Sequence, residues 1–144
     1  MSLRRTALGL SFVVFATACG GGDGGDPADD TLAPTTNQTI NGTVSVPVDT
    51  AGTAGEACEA GSGEFSDVTD GVRVTVSDES GEELGEGTID AGTYSEDTAD
   101  PACVFPFTVV DVTPATSYVI SIGDRALGTF TQAQISSLVQ IELG

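Results

Sequence analysis

The chain has no histidine, no lysine and no tryptophan, and a single methionine. Each absence removes a class of chemistry. Without an imidazole there is no Ser-His-Asp or Cys-His catalytic pair, no histidine zinc ligand and no side chain that ordinarily titrates near neutrality. Most hydrolase mechanisms go with them. Positive charge is almost as scarce, since two of the four arginines, Arg4 and Arg5, stand at the N-terminus. All 22 acidic residues follow them and face only Arg73 and Arg125, which takes the whole-chain charge of −18 to −20 beyond the leader. A surface of that sign repels phosphate backbones, so nucleic acid is excluded as a partner. Aromatics are few, six Phe and two Tyr, and no aromatic-rich sugar cleft is signalled. Pairs of carboxylates that could serve a glycosidase occur in any chain this acidic and carry no weight alone.

Long apolar runs are missing too. The stretch from Ala7 to Ala18 is about a dozen residues, short of the roughly 20 that a membrane-crossing helix needs. With Arg4 and Arg5 before it and small residues after it, residues 1–18 have the three-part layout of a secretory signal. Ala16-Thr17-Ala18-Cys19 before Gly20 resembles the lipobox of bacterial lipoproteins, with Ala16 where leucine is commonest. The resemblance implies that the Cys19 thiol is acylated and becomes the mature N-terminus; the alternative is an ordinary cleaved signal with a free Cys19. Residues 19–38 then form a Gly, Asp, Pro and Thr tether, too poor in apolar surface to order itself. Its r.m.s. span is roughly 25 Å, enough to lift a domain off a surface without orienting it.

The remaining residues, 39–144, suit one domain with a modest core. The densest apolar run there is Cys103 to Val112, which reads as a buried strand. Period-two alternation puts Cys103, Phe105, Phe107 and Val109 on one face and Val104, Pro106, Val110 and Val112 on the other, so cover is expected on both sides. Pro106 lacks an N–H, which predicts a bulge or an exposed edge there. Further alternation predicts strands over 39–48, 72–77, 83–89, 118–122, 127–130 and 139–143, with a hairpin turn at Asp78-Glu79-Ser80-Gly81. Asn37 and Asn41 fit the N-glycosylation pattern but read as ordinary polar positions of the first strand. Thr131 with Gln134 forms a capping-box pattern for one short helical turn. Residues 51–71 and 90–102 read as long loops, the first pinned to the core by Phe65 and Val68. Seven strands with Gly and Pro punctuation predict an all-β, two-sheet sandwich of immunoglobulin-like or transthyretin-like type.

Three cysteines are present. With Cys19 given to lipid, Cys58 and Cys103 remain as an even pair in an exported domain, and a disulfide is expected between them. Carboxylates cluster at Glu64, Asp67 and Asp70, at Asp78 to Glu83, and at Glu96 to Asp100. None has EF-hand spacing, and a solvated acidic surface is the ordinary role of such groups. Asp67 and Asp70 are the calcium candidates, because a disulfide-tied loop could preorganise them. No other metal and no cofactor is expected.

Cys58, Gly63, Phe65, Asp67, Gly71, Val74, Val76, Asp78 and Gly81, then Cys103, Phe105, Phe107, Val112, Tyr118, Gly123, Arg125 and Leu143-Gly144, resemble a Cys-containing β-domain recurring in envelope lipoproteins and membrane-anchored proteins of high-GC Gram-positive bacteria. The resemblance spans residues 58–144. It implies an extracytoplasmic site, anchorage to the cell membrane and the disulfide, and it supplies no catalytic residues. The expectation is a non-enzymatic interaction or structural module of the cell envelope, with an envelope protein or glycan as partner. A calcium or small-ligand binding domain is the second expectation.

Overall fold

Strand formation follows the alternation of β-branched and aromatic residues, and the computed structural model describes it for residues 35–61, 63–97 and 99–144. The leader, Cys19 and most of the tether lie outside the described residues. Nine strands and one short helix are present among the described residues: β1 Gln38–Pro47, β2 Ala57–Cys58, β3 Arg73–Ser77, β4 Glu83–Ile89, β5 Gly92–Tyr94, β6 Ala102–Val112, β7 Ser117–Ile122, β8 Arg125–Thr131, α1 Gln132–Ile135 and β9 Val139–Glu142. The chain is all-β. One hydrogen-bonded sheet runs β2-β5-β6-β4-β3-β7-β8, with β1 on the other side of β6 and β9 beyond β1. Pairing is antiparallel except between β1 and β9, which run parallel from Gly42↔Val139 to Ser45↔Glu142.

Two strands more than the seven expected appear, because β2 and β5 lie inside the segments read as loops. They pair Ala57↔Thr93 and Cys58↔Gly92, and β5 pairs Thr93↔Val104 and Tyr94↔Cys103. Strands of two and three residues are too short to show a period, so alternation does not reveal them.

β6 is the centre of the sheet, paired along its length with β1 and on its other side with β5 and then β4. Among the described residues only one of its faces is covered, contrary to the expectation of cover on both. Cys103, Phe105, Phe107 and Val109 are buried, whereas Pro106 is exposed and Val110 is 55% exposed. Val112 departs from the simple alternation because Asp111 takes a left-handed conformation, φ 55°. The register advances three residues on β6, Val109 to Val112, against two on β1, Ile40 to Gln38. That bulge resets the parity and turns Val112 inward.

Pro106 produces neither a bulge nor an edge. Its carbonyl accepts from the Asp90 N–H at 2.8 Å, on the side where β4 ends at Ile89 and β5 begins at Gly92. In an extended strand a residue's N and C=O point to the same side. The missing N–H therefore falls at the handover between two neighbours, and the ladder to β1 keeps its bonds.

The curled sheet turns one apolar face onto itself. Ile40, Val44 and Val46 of β1 meet Val74 and Val76 of β3, Ile120 and Ile122 of β7, and the four inward residues of β6, with Val68 contributed by the 51–71 connection. No polar or charged residue is buried among the described residues. Gly42 is required by packing, since a Cβ there would collide with the Phe107 ring and stand 2.9 Å from the Val139 carbonyl oxygen. The aromatic ring thus covers a strand glycine. Tyr118, fully buried, directs its hydroxyl to the Gln132 Oε1 at 2.8 Å and accepts from the Ala115 N–H and the Gln38 Nε2, both at 2.8 Å. The start of β1 is fastened this way to α1 and to the β6–β7 connection. The helical turn is where the capping pattern placed it: the Gln134 Oε1 accepts from the Thr131 N–H at 2.8 Å.

Candidate functional site

Besides backbone bonds to β5 and β4, the 51–71 connection is fastened by its side chains at Cys58 and Val68 and by two contacts to Arg125. Cys58 is bonded to Cys103 of β6, with Cα atoms 5.9 Å apart and a sequence separation of 45. Val68 is fully buried. The other two fastenings involve Arg125 at the start of β8. Its Nε and Nη2 donate to the two Asp67 carboxylate oxygens, each at 3.1 Å, and Nη2 donates to the Glu64 carbonyl at 2.7 Å. Its guanidinium also stands over the Phe65 ring, 5.1 Å from the centroid. A bidentate fork onto a carboxylate fixes direction as well as distance.

This clamp has an electrostatic signature. The Arg125 hydrogen bonds hold the Asp67 carboxyl below its usual range, against the opposing effect of burial, and Asp67 in turn raises the pKa of Arg125. A lowered carboxyl pKa contributes stability above the unfolded value, about 4, and loses it as pH falls through the lower folded value. Phe65 ring resonances followed by NMR are therefore expected to move only below about pH 4. In Asp67→Asn they should sit at the released position throughout. A wild-type position constant down to the acid limit of folding would count against the clamp.

The structure divides the two calcium candidates. Asp67 has both carboxylate oxygens engaged by Arg125, whereas Asp70 lines a groove with Glu59. Among the described residues no cluster of three or more carboxylate or cysteine groups has an arrangement suited to a metal ion. Other acids serve their own turns. The Asp78 Oδ1 accepts from the Ser80 N–H at 2.8 Å, the Ser80 hydroxyl at 2.6 Å and the Glu82 N–H at 2.9 Å. Those bonds, the Ser80 hydroxyl first, hold its carboxyl below the usual range. Asp97 closes a similar turn onto the Ala99 N–H at 2.8 Å.

The groove that receives Asp70 has a volume of about 790 Å³ and lies over the disulfide. Its inner lining includes half-buried Cys58 and Tyr94 with buried Gly92 and Phe105; Glu59 and Asp70 are its exposed acids. Two glycines shape it. A Cβ at Gly92 would meet the Cys103 Sγ at 2.7 Å and the Phe105 ring at 2.6 Å, and one at Gly52 would collide with the Tyr94 ring. Residue 52 thus lets the connection pass over Tyr94, and residue 92 lets β5 close down on the bridge.

Sequence reasoning identified the disulfide pair but assigned Arg125 no role. The signal was available, because only two cations follow the leader and each must find partners among 22 acids. Arg73 pairs with Glu83 at 2.9 Å and with Glu86. Comparison of the chain with known protein families, with curated proteins and with solved structures returns no match.

Proposed function

We propose that this chain is a lipid-anchored, extracytoplasmic β-domain that serves the cell envelope as a non-enzymatic interaction or structural module. The observation that carries the reading is the Cys58–Cys103 bridge. Stable disulfides belong to oxidising compartments, and a chain reaches one by export. The export-signal pattern of residues 1–18, the lipobox-like Ala16-Thr17-Ala18-Cys19 and the Gly- and Asp-rich segment after it are consistent with that route. The resemblance to β-domains of envelope lipoproteins points the same way. We read the curled sheet as a two-layer sandwich of immunoglobulin-like or transthyretin-like type, with β2-β5-β6-β1-β9 as one layer and β4-β3-β7-β8 as the other. A sandwich on a flexible tether presents loops and edges to a neighbouring protein or glycan, and the clamped 51–71 connection is the presenting element favoured here.

Anchorage depends on one atom in this reading. Cys19→Ser is expected to move the protein from the membrane fraction to the soluble fraction, because two or more acyl chains hold stably and the apolar run of the leader is too short to span. Retention of the Cys19→Ser protein in the membrane after a high-salt wash would overturn lipid anchorage.

A further inference from the structure

We infer that the groove over the disulfide receives a basic side chain, lysine or arginine, from an extended segment of a partner polypeptide. The inference rests on the interaction-module reading and supplies the partner's chemistry. Glu59 and Asp70 are exposed and make no hydrogen bond or ion pair among the described residues, while Arg73 and Arg125 are already committed elsewhere. The less exposed part of the lining is largely apolar: Cys58 of the disulfide, Gly92, and the Tyr94 and Phe105 rings. A long basic side chain matches both parts, its aliphatic stem along the apolar lining and its charged head toward the carboxylates and the Tyr94 ring.

Size decides against a bare metal ion. The groove measures about 790 Å³, within the roughly 300–1,000 Å³ range of organic-ligand sites, and calcium requires about 6–8 oxygen ligands where the side chains of this lining offer two carboxylates and the Thr69 and Tyr94 hydroxyls. The source of the cation follows from the sheet. β2 lies in this lining and is the end strand of the sheet path, paired among the described residues only with β5. Its outer edge therefore leaves the Ala57 N–H and C=O for a strand-like segment passing alongside. The charge of −20 beyond the leader, 22 acids against two arginines, draws basic segments toward the domain from a distance.

The test is fluorescence anisotropy with the full-length chain in neutral detergent at 0.15 M salt, a screening level near physiological. The probe is a labelled pentapeptide of alternating alanine and valine with lysine at its centre, compared with the same peptide carrying arginine or norleucine there. Lysine and arginine peptides are expected to bind, and norleucine to bind about five- to tenfold more weakly, the factor of two exposed ion pairs. Glu59→Gln combined with Asp70→Asn should weaken the lysine peptide by the same factor. Glu79→Gln combined with Glu82→Gln, which removes the same charge from the β3–β4 turn, should change it less than about twofold.

Equal losses in the two double variants would mean a diffuse field and would overturn the inference. So would equal binding of the lysine and norleucine peptides, a comparison that needs no protein variant. A calcium-dependent rise in melting temperature abolished by Asp70→Asn would replace it with a metal site. Failure of membrane anchorage is read separately, through Cys19→Ser, and leaves this binding result unaffected.

Discussion

Phe105→Ala and Phe107→Ala are each expected to destabilise the domain by about 3–5 kcal/mol, and Thr108→Ala by less than about 1 kcal/mol, in chemical denaturation. The contrast between adjacent residues is the point. Phe105 and Phe107 are each 1% exposed, while Thr108, between Phe107 and Val109, faces solvent and bonds the Asn41 side chain at 3.1 Å. Truncating a buried phenylalanine loses the transfer energy of the ring and leaves a cavity that a strand paired on both sides cannot collapse to fill. At position 107 the loss extends to Gly42, whose backbone the ring covers. At position 105 it extends to Gly92, which the ring closely approaches, so that variant should also loosen the groove lining. Similar losses at positions 107 and 108 would contradict the register of β6.

Replacing Cys58 and Cys103 together by alanine is the second large effect, about 4 kcal/mol for a loop of 45 residues in the chain-entropy model. A domain of this size has about 5–15 kcal/mol in all, so the variant would stand close to the threshold of folding. Cys103 is fully buried in the central strand, so the replacement also removes a core contact beneath the connection. Melting of the oxidised protein, the reduced protein and the alanine variant should place the last two together and well below the first. Coincident melting of all three would mean that the bridge adds nothing to Val68 and the Arg125 clamp.

The legible parts of this fold were those long enough to show a period. β1, β3, β4, β6, β7 and β9 each carry three or more alternating positions or a clear hairpin signal, and their inward residues form the core. The errors lie where tertiary neighbours decide. A run such as Val104, Pro106 and Val110 looks coreward by composition, yet among the described residues no element covers it, because β-branched residues also suit an exposed sheet face. The Asp111 bulge, which turns Val112 inward, depends on the pairing of β6 with β1, and one aspartate in an apolar run does not by itself mark a positive φ. Pro106 by itself predicts a bulge or an exposed edge, because the sequence does not disclose that β4 and β5 share one side of β6.

At the candidate site, setting Cys19 aside on the lipobox pattern leaves one possible pair, Cys58 and Cys103, and these two are bonded. The Asp67–Arg125 contact joins residues 58 positions apart, and charge scarcity alone could have suggested it. The groove was beyond reach from sequence. It is made by β2 and β5, by Gly52 passing over Tyr94 and by Gly92 against the bridge, all within segments that carried no period.

The most direct test of the account is the intact mass of the protein extracted from the membrane, recorded before and after reduction. The expected species begins at Cys19, lacks residues 1–18, carries the mass of its acyl groups and gains about 2 Da on reduction, the two hydrogens of one opened disulfide. An unlipidated chain, a chain retaining residues 1–18, or a mass unchanged by reduction would contradict it.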